Sequence, residues 1–291
     1  MTNNMTRRGF LAVTAGAAGA AALGLAGCGG AGASAVSGGA ADTAGAIGSA
    51  AASGGDLLAQ VRDRGELVFA TEGTWSPWTF HNEADELTGY DIEVARAIAG
   101  ELGVEATFAE GRWDSLLAGL DAERFDTMAN GVSVTPEREE QYDFTEPYAY
   151  NRIVVITSED SDIARMEDLE GKRTANTLGS SYATLAESFG ATNSGVDDFN
   201  QTIELLQQGR IDATLNDEVV FYDYMDAHPD APLKIAAENS ETTPVAFPLR
   251  KGAETASLRA AMNEAIDALR ADGTLSALSN EFFGIDISSE D

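Results

Sequence analysis

From residue 56 onward, short β-type runs alternate with stretches of helical periodicity, and this alternation constrains the fold more than any other feature of the chain. Strand-like runs fall at 66–70, 105–109, 127–129, 153–156, 174–176, 213–215 and 245–249. Between and after them, 91–102, 114–120, 135–141, 181–188, 202–208, 218–227 and 254–271 read as helices, the last with Leu258, Met262, Ile266 and Leu269 on one face. Strands that alternate with helices predict an α/β architecture with mainly parallel sheets. No internal repeat is evident, and periodicity alone allows a single doubly wound sheet.

The residues before 56 stand outside this pattern. Thr6-Arg7-Arg8-Gly9-Phe10-Leu11 matches a twin-arginine export signal, and an Ala/Gly-rich apolar run continues to Leu25. Leu25-Ala26-Gly27-Cys28 resembles a lipobox, so residues 1–27 are expected to be cleaved and Cys28 to carry lipid on the outer face of the cytoplasmic membrane. A transmembrane anchor over 10–27 is the alternative, but its many glycines and alanines make a weak one. Residues 29–55 are almost entirely Gly, Ala and Ser, which with Cys28 makes 28–55 a lipidated, flexible linker with a reach of roughly 30 Å.

Cys28 is the only cysteine in 291 residues, which excludes an internal disulfide and a thiolate metal cluster. His81 and His228, the only histidines, lack metal-ligand spacing, so no metal or other cofactor is expected. The net charge of −30 becomes −32 when Arg7 and Arg8 leave with the signal, and such a surface repels nucleic acid and anionic lipid. Neither a nucleophile elbow nor a phosphate-cradling Gly-rich lysine loop is found. No later apolar run is long enough to cross a membrane.

The segment ANGVSVTPEREEQYDFTEPY, residues 129–148, carries the most chemistry. Thr135 can cap a helix with Pro136 at its first position, and the free N–H groups of that first turn favour an anion. Arg138 adds a planar fork matched to a carboxylate. A capped surface helix with an exposed arginine is the other reading of the same residues. Asp217 can likewise be an N-cap for 218–227, Gly179-Ser180-Ser181 an ordinary cap, and Trp75 and Trp113 core side chains, with Trp78 assigned to the core.

The pattern ANxVSxTPER followed by YDFxxPY, with LTGYDIEVARAIA, WDSLLAGL, GRIDATLND and LRKG in order, resembles the polar amino-acid-binding proteins of ABC importers, bacterial solute-binding protein family 3. The likeness runs from ELVFATEGTWSPWTFH to DGTLSALSNEFFG. It implies a two-lobed, type II periplasmic-binding-protein-like fold whose chain crosses between lobes twice, near 148–152 and 241–245, with the ligand cleft between them. Lobe 1 then comprises 56–148 and 246–287, and lobe 2 comprises 149–245.

The same resemblance gives Arg138 the ligand's α-carboxylate and Asp217 its α-ammonium. Ser133 and the backbone around Asn130 and Gly131 complete the ammonium shell, while the turn ending in Ser181 offers N–H groups to the carboxylate. Glu72, Trp75 and Trp113 fall to the side-chain pocket. TEGTW looks most like the cystine-binding members, in which a second ammonium would meet such an acid; many relatives have tyrosine last, so Trp75 lacks a phenolic hydroxyl. The implied function is a non-catalytic, monomeric receptor that delivers a polar amino acid, cystine favoured, to ABC permease subunits. A cyclohexadienyl-dehydratase-like enzyme on the same fold and an extracellular amino-acid sensor are the alternatives.

Overall fold

The strand Glu66–Thr71 points Leu67 and Phe69 to one face of its sheet and Val68 and Ala70 to the other, and both sets meet apolar clusters. In this computed structural model, which describes residues 55–290, the strand lies between Glu105–Glu110 and Thr127–Met128, all parallel, with Phe69 opposite both Phe108 and Thr127. The expected export signal, Cys28 and residues 29–54 of the expected linker lie outside the described residues. Helix Tyr90–Leu102 covers one face with Tyr90, Val94, Ala95 and Ile98 and stops at Gly103, whose φ of 75° is the left-handed conformation a helix end favours. Helix Trp113–Asp121 covers the other face with Trp113, Leu116 and Leu120. The late helix Ala256–Ala271 returns to this lobe and buries the expected Leu258, Met262, Ile266 and Leu269.

A second lobe surrounds the strand Ile153–Ser158. Ile153 and Val155 face one apolar cluster, Val154 and Ile156 another. Its neighbours Thr214–Asp217 and Leu233–Glu238 both run antiparallel to it, so the expectation of mainly parallel sheets fails here; the parallel pairing is Arg173–Asn176 with Thr192–Gly195. The apolar run of a strand buried on both faces encodes burial and not direction. Direction is set by the connections: Ile153 begins its strand beside Asp217, which ends the neighbouring one.

Two antiparallel strands, Ala149–Asn151 and Thr243–Val245, enter and leave this second lobe with Asn151 opposite Thr243. The run 245–249, expected as one strand, is two. Thr243–Val245 pairs with the first connection, and Pro248–Arg250 changes partner to Tyr142–Phe144. Tyr148 stacks on Phe247 at 4.4 Å below the connections, and Trp78 lies fully buried beside Phe283 at 4.9 Å. Each large side chain removed from water here contributes about 1.5–3 kcal/mol. The hairpin strands Thr74–Trp75, Thr79–His81 and Leu87–Thr88 were not expected, because two- and three-residue strands carry no usable period.

Candidate functional site

Eight of the nine expected ligand residues, Glu72, Trp75, Trp113, Asn130, Gly131, Ser133, Arg138 and Ser181, line one cleft that is open to solvent and spans about 650 Å³ with its mouth. Arg138 reaches it from a single helical turn, Pro136–Glu139. The turn is shorter than the expected 135–141 because Tyr142–Phe144 is held as a strand by Pro248–Arg250. Thr135 Oγ1 caps the turn, accepting from the Arg138 backbone N–H at 3.3 Å. The guanidinium donates to the Ser133 carbonyl at 2.9 Å and, across the cleft, to the Gly179 carbonyl at 3.5 Å, and it lies 5.0 Å over the Trp113 ring. Burial pulls its pKa down, and among the described residues it forms no ion pair. A cation so placed has donors to spare for an anion.

Glu72 is held from two sides. Its carboxylate accepts from the Trp113 backbone N–H at 3.2 Å and from the Asn130 side-chain amide at 2.8 Å, and the Asn130 carbonyl oxygen accepts from the Glu72 N–H at 2.7 Å. Asn130 therefore braces the acid with its side chain, besides whatever its backbone offers. Burial raises the Glu72 pKa, and these bonds oppose the rise.

Gly131 donates its N–H to buried Asp91, whose carboxyl also accepts from the Tyr148 hydroxyl at 2.9 Å. Burial pushes the Asp91 pKa up to about 7. Gly131 has φ 55°, and a Cβ there would lie 2.7 Å from the Trp75 ring. Gly131→Ala is therefore expected to displace Trp75, at about 1–2 kcal/mol of backbone strain alone, and to weaken ligand binding tenfold or more in a folded protein. Calorimetry checks this, and near wild-type affinity would refute it.

Ser133 and Ser181 approach across the cleft with hydroxyls 3.3 Å apart. The helix Ser181–Ser188 is capped by Ser180, whose hydroxyl accepts from the Ala183 N–H at 3.2 Å, so capping does not occupy the Ser181 hydroxyl.

Asp217 is the ninth residue, and it lies behind the cleft wall, 2% exposed. It occupies the N-cap position of helix Glu218–Ala227, yet its side chain makes no capping bond. Its Oδ1 is buried without a hydrogen-bond partner. Desolvation pushes its pKa up to about 7, held back by the nearby polar groups of Tyr182, Asn151 and Trp78. Tyr182 lines the cleft, abuts Asp217 and meets Trp75 edge to face at 6.2 Å. Sequence reasoning missed Tyr182, although it directly follows Gly179-Ser180-Ser181. It also missed Asn176, whose Oδ1 is buried without a partner, as is Trp113 Nε1. Buried polar atoms are normally paired, so the two orphans that line the cleft, Asn176 Oδ1 and Trp113 Nε1, mark it as a place for a polar guest.

Among the described residues no cluster of His, Cys, Asp or Glu could hold a metal ion, and both histidines are exposed, His81 lying 2.9 Å from Glu110. What the cleft offers is a cation fork, a braced acid, aromatic walls and a buried carboxyl behind a tyrosine.

The chain as a whole is similar to known proteins. The pattern of the bacterial extracellular solute-binding proteins, family 3, matches residues 67–285. A probable amino-acid ABC transporter-binding protein of Haemophilus influenzae is 42% identical over 234 residues, 80% of this chain and 90% of the relative. The L-cystine-binding protein TcyA of Bacillus subtilis is 41% identical over 239 residues, 81% of this chain and 88% of the relative. Among solved structures, the L-cystine solute receptor of Neisseria gonorrhoeae in its unliganded open conformation is 40% identical and superposes with a TM-score of 0.57, covering 81% of this chain and all of that one. With the family pattern spanning both lobes and the cleft between them, the chain belongs to the bacterial extracellular solute-binding proteins of family 3.

Proposed function

We propose that this protein is the non-catalytic receptor of an amino-acid ABC importer, with cystine as its favoured ligand. One observation carries the reading: the Arg138 guanidinium, unpaired among the described residues, faces a cleft behind whose wall Asp217 is buried with an unpartnered oxygen. A free amino acid brings a carboxylate for the first and an ammonium for the second. The similarity to proteins named for cystine supports the choice of ligand. Both Glu72 oxygens are engaged, which favours a holding site over a proton-transfer pair.

The lobes are taken as 56–148 with 246–287, and 149–245, joined through the paired connections Ala149–Asn151 and Thr243–Val245. Contacts across the cleft from Arg138 to Gly179 and from Ser133 to Ser181 fit a closed arrangement, as does the low TM-score against an open relative of 40% identity. A ligand bridging the lobes has more partners in the closed state and so favours it.

Glu72 would meet the second ammonium of cystine. Glu72→Gln keeps the size and removes the charge, so cystine binding is expected to weaken by about 1.5–3 kcal/mol, while a ligand with a neutral side chain changes little. Equal losses for both ligands, measured by calorimetry, would refute this role.

Export and anchoring through Cys28 complete the proposal. Several acyl chains on one cysteine hold a domain stably at a membrane, whereas one does so only marginally. Cys28→Ser is expected to release the protein from the membrane fraction or to block its processing. A mutant fractionated and processed like the wild type contradicts the anchor.

A further inference from the structure

The cleft continues past Glu72 and Trp113 into a second, outer compartment of about 530 Å³, also bounded by Arg112, Thr177, Leu178 and Asp197. Glu72, Trp113, Thr177 and Asp197 belong to both compartments, so a ligand can extend from one to the other. The outer wall is strongly acidic, with Asp114, Asp197 and Glu72, and Arg112 is the only cation among the residues that line it. Arg112 is 71% exposed; it pairs with Asp197 across the cleft, one bond measuring 3.2 Å, and lies 3.9 Å from Asp114. The two arginines bracket Trp113, Arg138 over its ring and Arg112 immediately before it in the chain.

We propose that this outer compartment is a subsite for the far head of an elongated, double-headed amino acid, with Arg112 taking the second carboxylate while Glu72 takes the second ammonium. The inference rests on the cystine reading and adds a recognition element to it. A second carboxylate arriving among Glu72, Asp114 and Asp197 is repelled unless a cation receives it, and Arg112 is the group placed to do so. Its present partner is an exposed aspartate, and exposed ion pairs contribute little, so exchanging Asp197 for a ligand carboxylate costs little. Thr177 and the face of Trp113 line the passage between the two heads, where a neutral disulfide linker would lie.

Two ligands separate this role from simple closure of the cleft. L-cystine carries two carboxylates; the mixed disulfide of L-cysteine and cysteamine keeps both ammonium groups and lacks the second carboxylate. By calorimetry on the purified protein, the wild type is expected to prefer cystine by about threefold, the size of an exposed ion pair. Arg112→Gln, at an exposed site that leaves the fold intact, should lose most of that preference by weakening cystine alone. Asp197→Asn breaks the same ion pair but keeps the cation, so the preference should persist. Equal weakening of both ligands in Arg112→Gln, an unchanged preference there, or loss of the preference in Asp197→Asn would overturn the subsite and leave the cystine reading standing. Binding of neither disulfide by the wild type would overturn both.

Discussion

Arg138→Ala is expected to abolish ligand binding while leaving the protein folded. The guanidinium is anchored by the Ser133 carbonyl and lies over Trp113, both on its own side of the cleft, so it is positioned before the cleft closes and loses little freedom on binding. Removing it leaves the ligand carboxylate desolvated with only N–H and hydroxyl donors, a loss of about 3–5 kcal/mol, or several hundredfold and more in affinity. Folding should survive because the side chain belongs to none of the apolar clusters and its turn keeps the Thr135 cap. A folded mutant with near wild-type affinity, by calorimetry and circular dichroism, would remove the carboxylate site from Arg138.

Asp217→Asn is the second large expected effect, and the geometry ties it to pH. Desolvation holds the Asp217 pKa at about 7 without a ligand, whereas an ammonium beside it favours the ionised form. Binding below pH 7 must therefore expel a proton. Affinity is expected to rise as pH increases from 5 through 7, by up to about tenfold per unit, and then to level off. Folding shows the opposite sign: the folded protein keeps this proton between the unfolded pKa of 3.8 and about 7, so the group's stabilising contribution is full below 3.8 and is lost as pH rises through 7. Asparagine should lower affinity at pH 8 by about 1.5–3 kcal/mol and flatten the dependence on pH. Since Asp217 makes no side-chain cap bond, helix Glu218–Ala227 should lose little stability. Unchanged affinity and an unchanged pH profile would show that Tyr182 isolates Asp217 from the ligand.

The frame of the first lobe was readable because the strands Glu66–Thr71 and Glu105–Glu110 and the helices Tyr90–Leu102 and Ala256–Ala271 are long, whereas its two- and three-residue hairpin strands were not. Gly103 stops its helix as expected, and Leu258 to Leu269 lie on the buried face. The second lobe was less readable, since Ile153, Val154, Val155 and Ile156 are all buried and a continuous apolar run does not reveal which way its neighbours run. At the cleft, the family resemblance assigned Arg138, Glu72 and the two tryptophans where their residue types alone left core or surface roles open; each sits in or beside the end of an element. The depth of Asp217 and the part played by Tyr182 were not readable. They depend on how the strand Thr214–Asp217 and the helix Ser181–Ser188 pack together, which neither segment encodes alone.

The central claim is that this cleft captures a polar amino acid, and a thermal-shift screen of the purified protein against the twenty amino acids plus cystine tests it most directly. A ligand that binds only the folded state raises the melting temperature, by an amount equivalent to about 2.7 kcal/mol at a hundredfold excess over its dissociation constant. Cystine is expected to give the largest shift, and Arg138→Ala to remove it. A shift from glutamine, histidine or arginine with none from cystine contradicts the choice of ligand, and no shift from any of them contradicts the receptor itself.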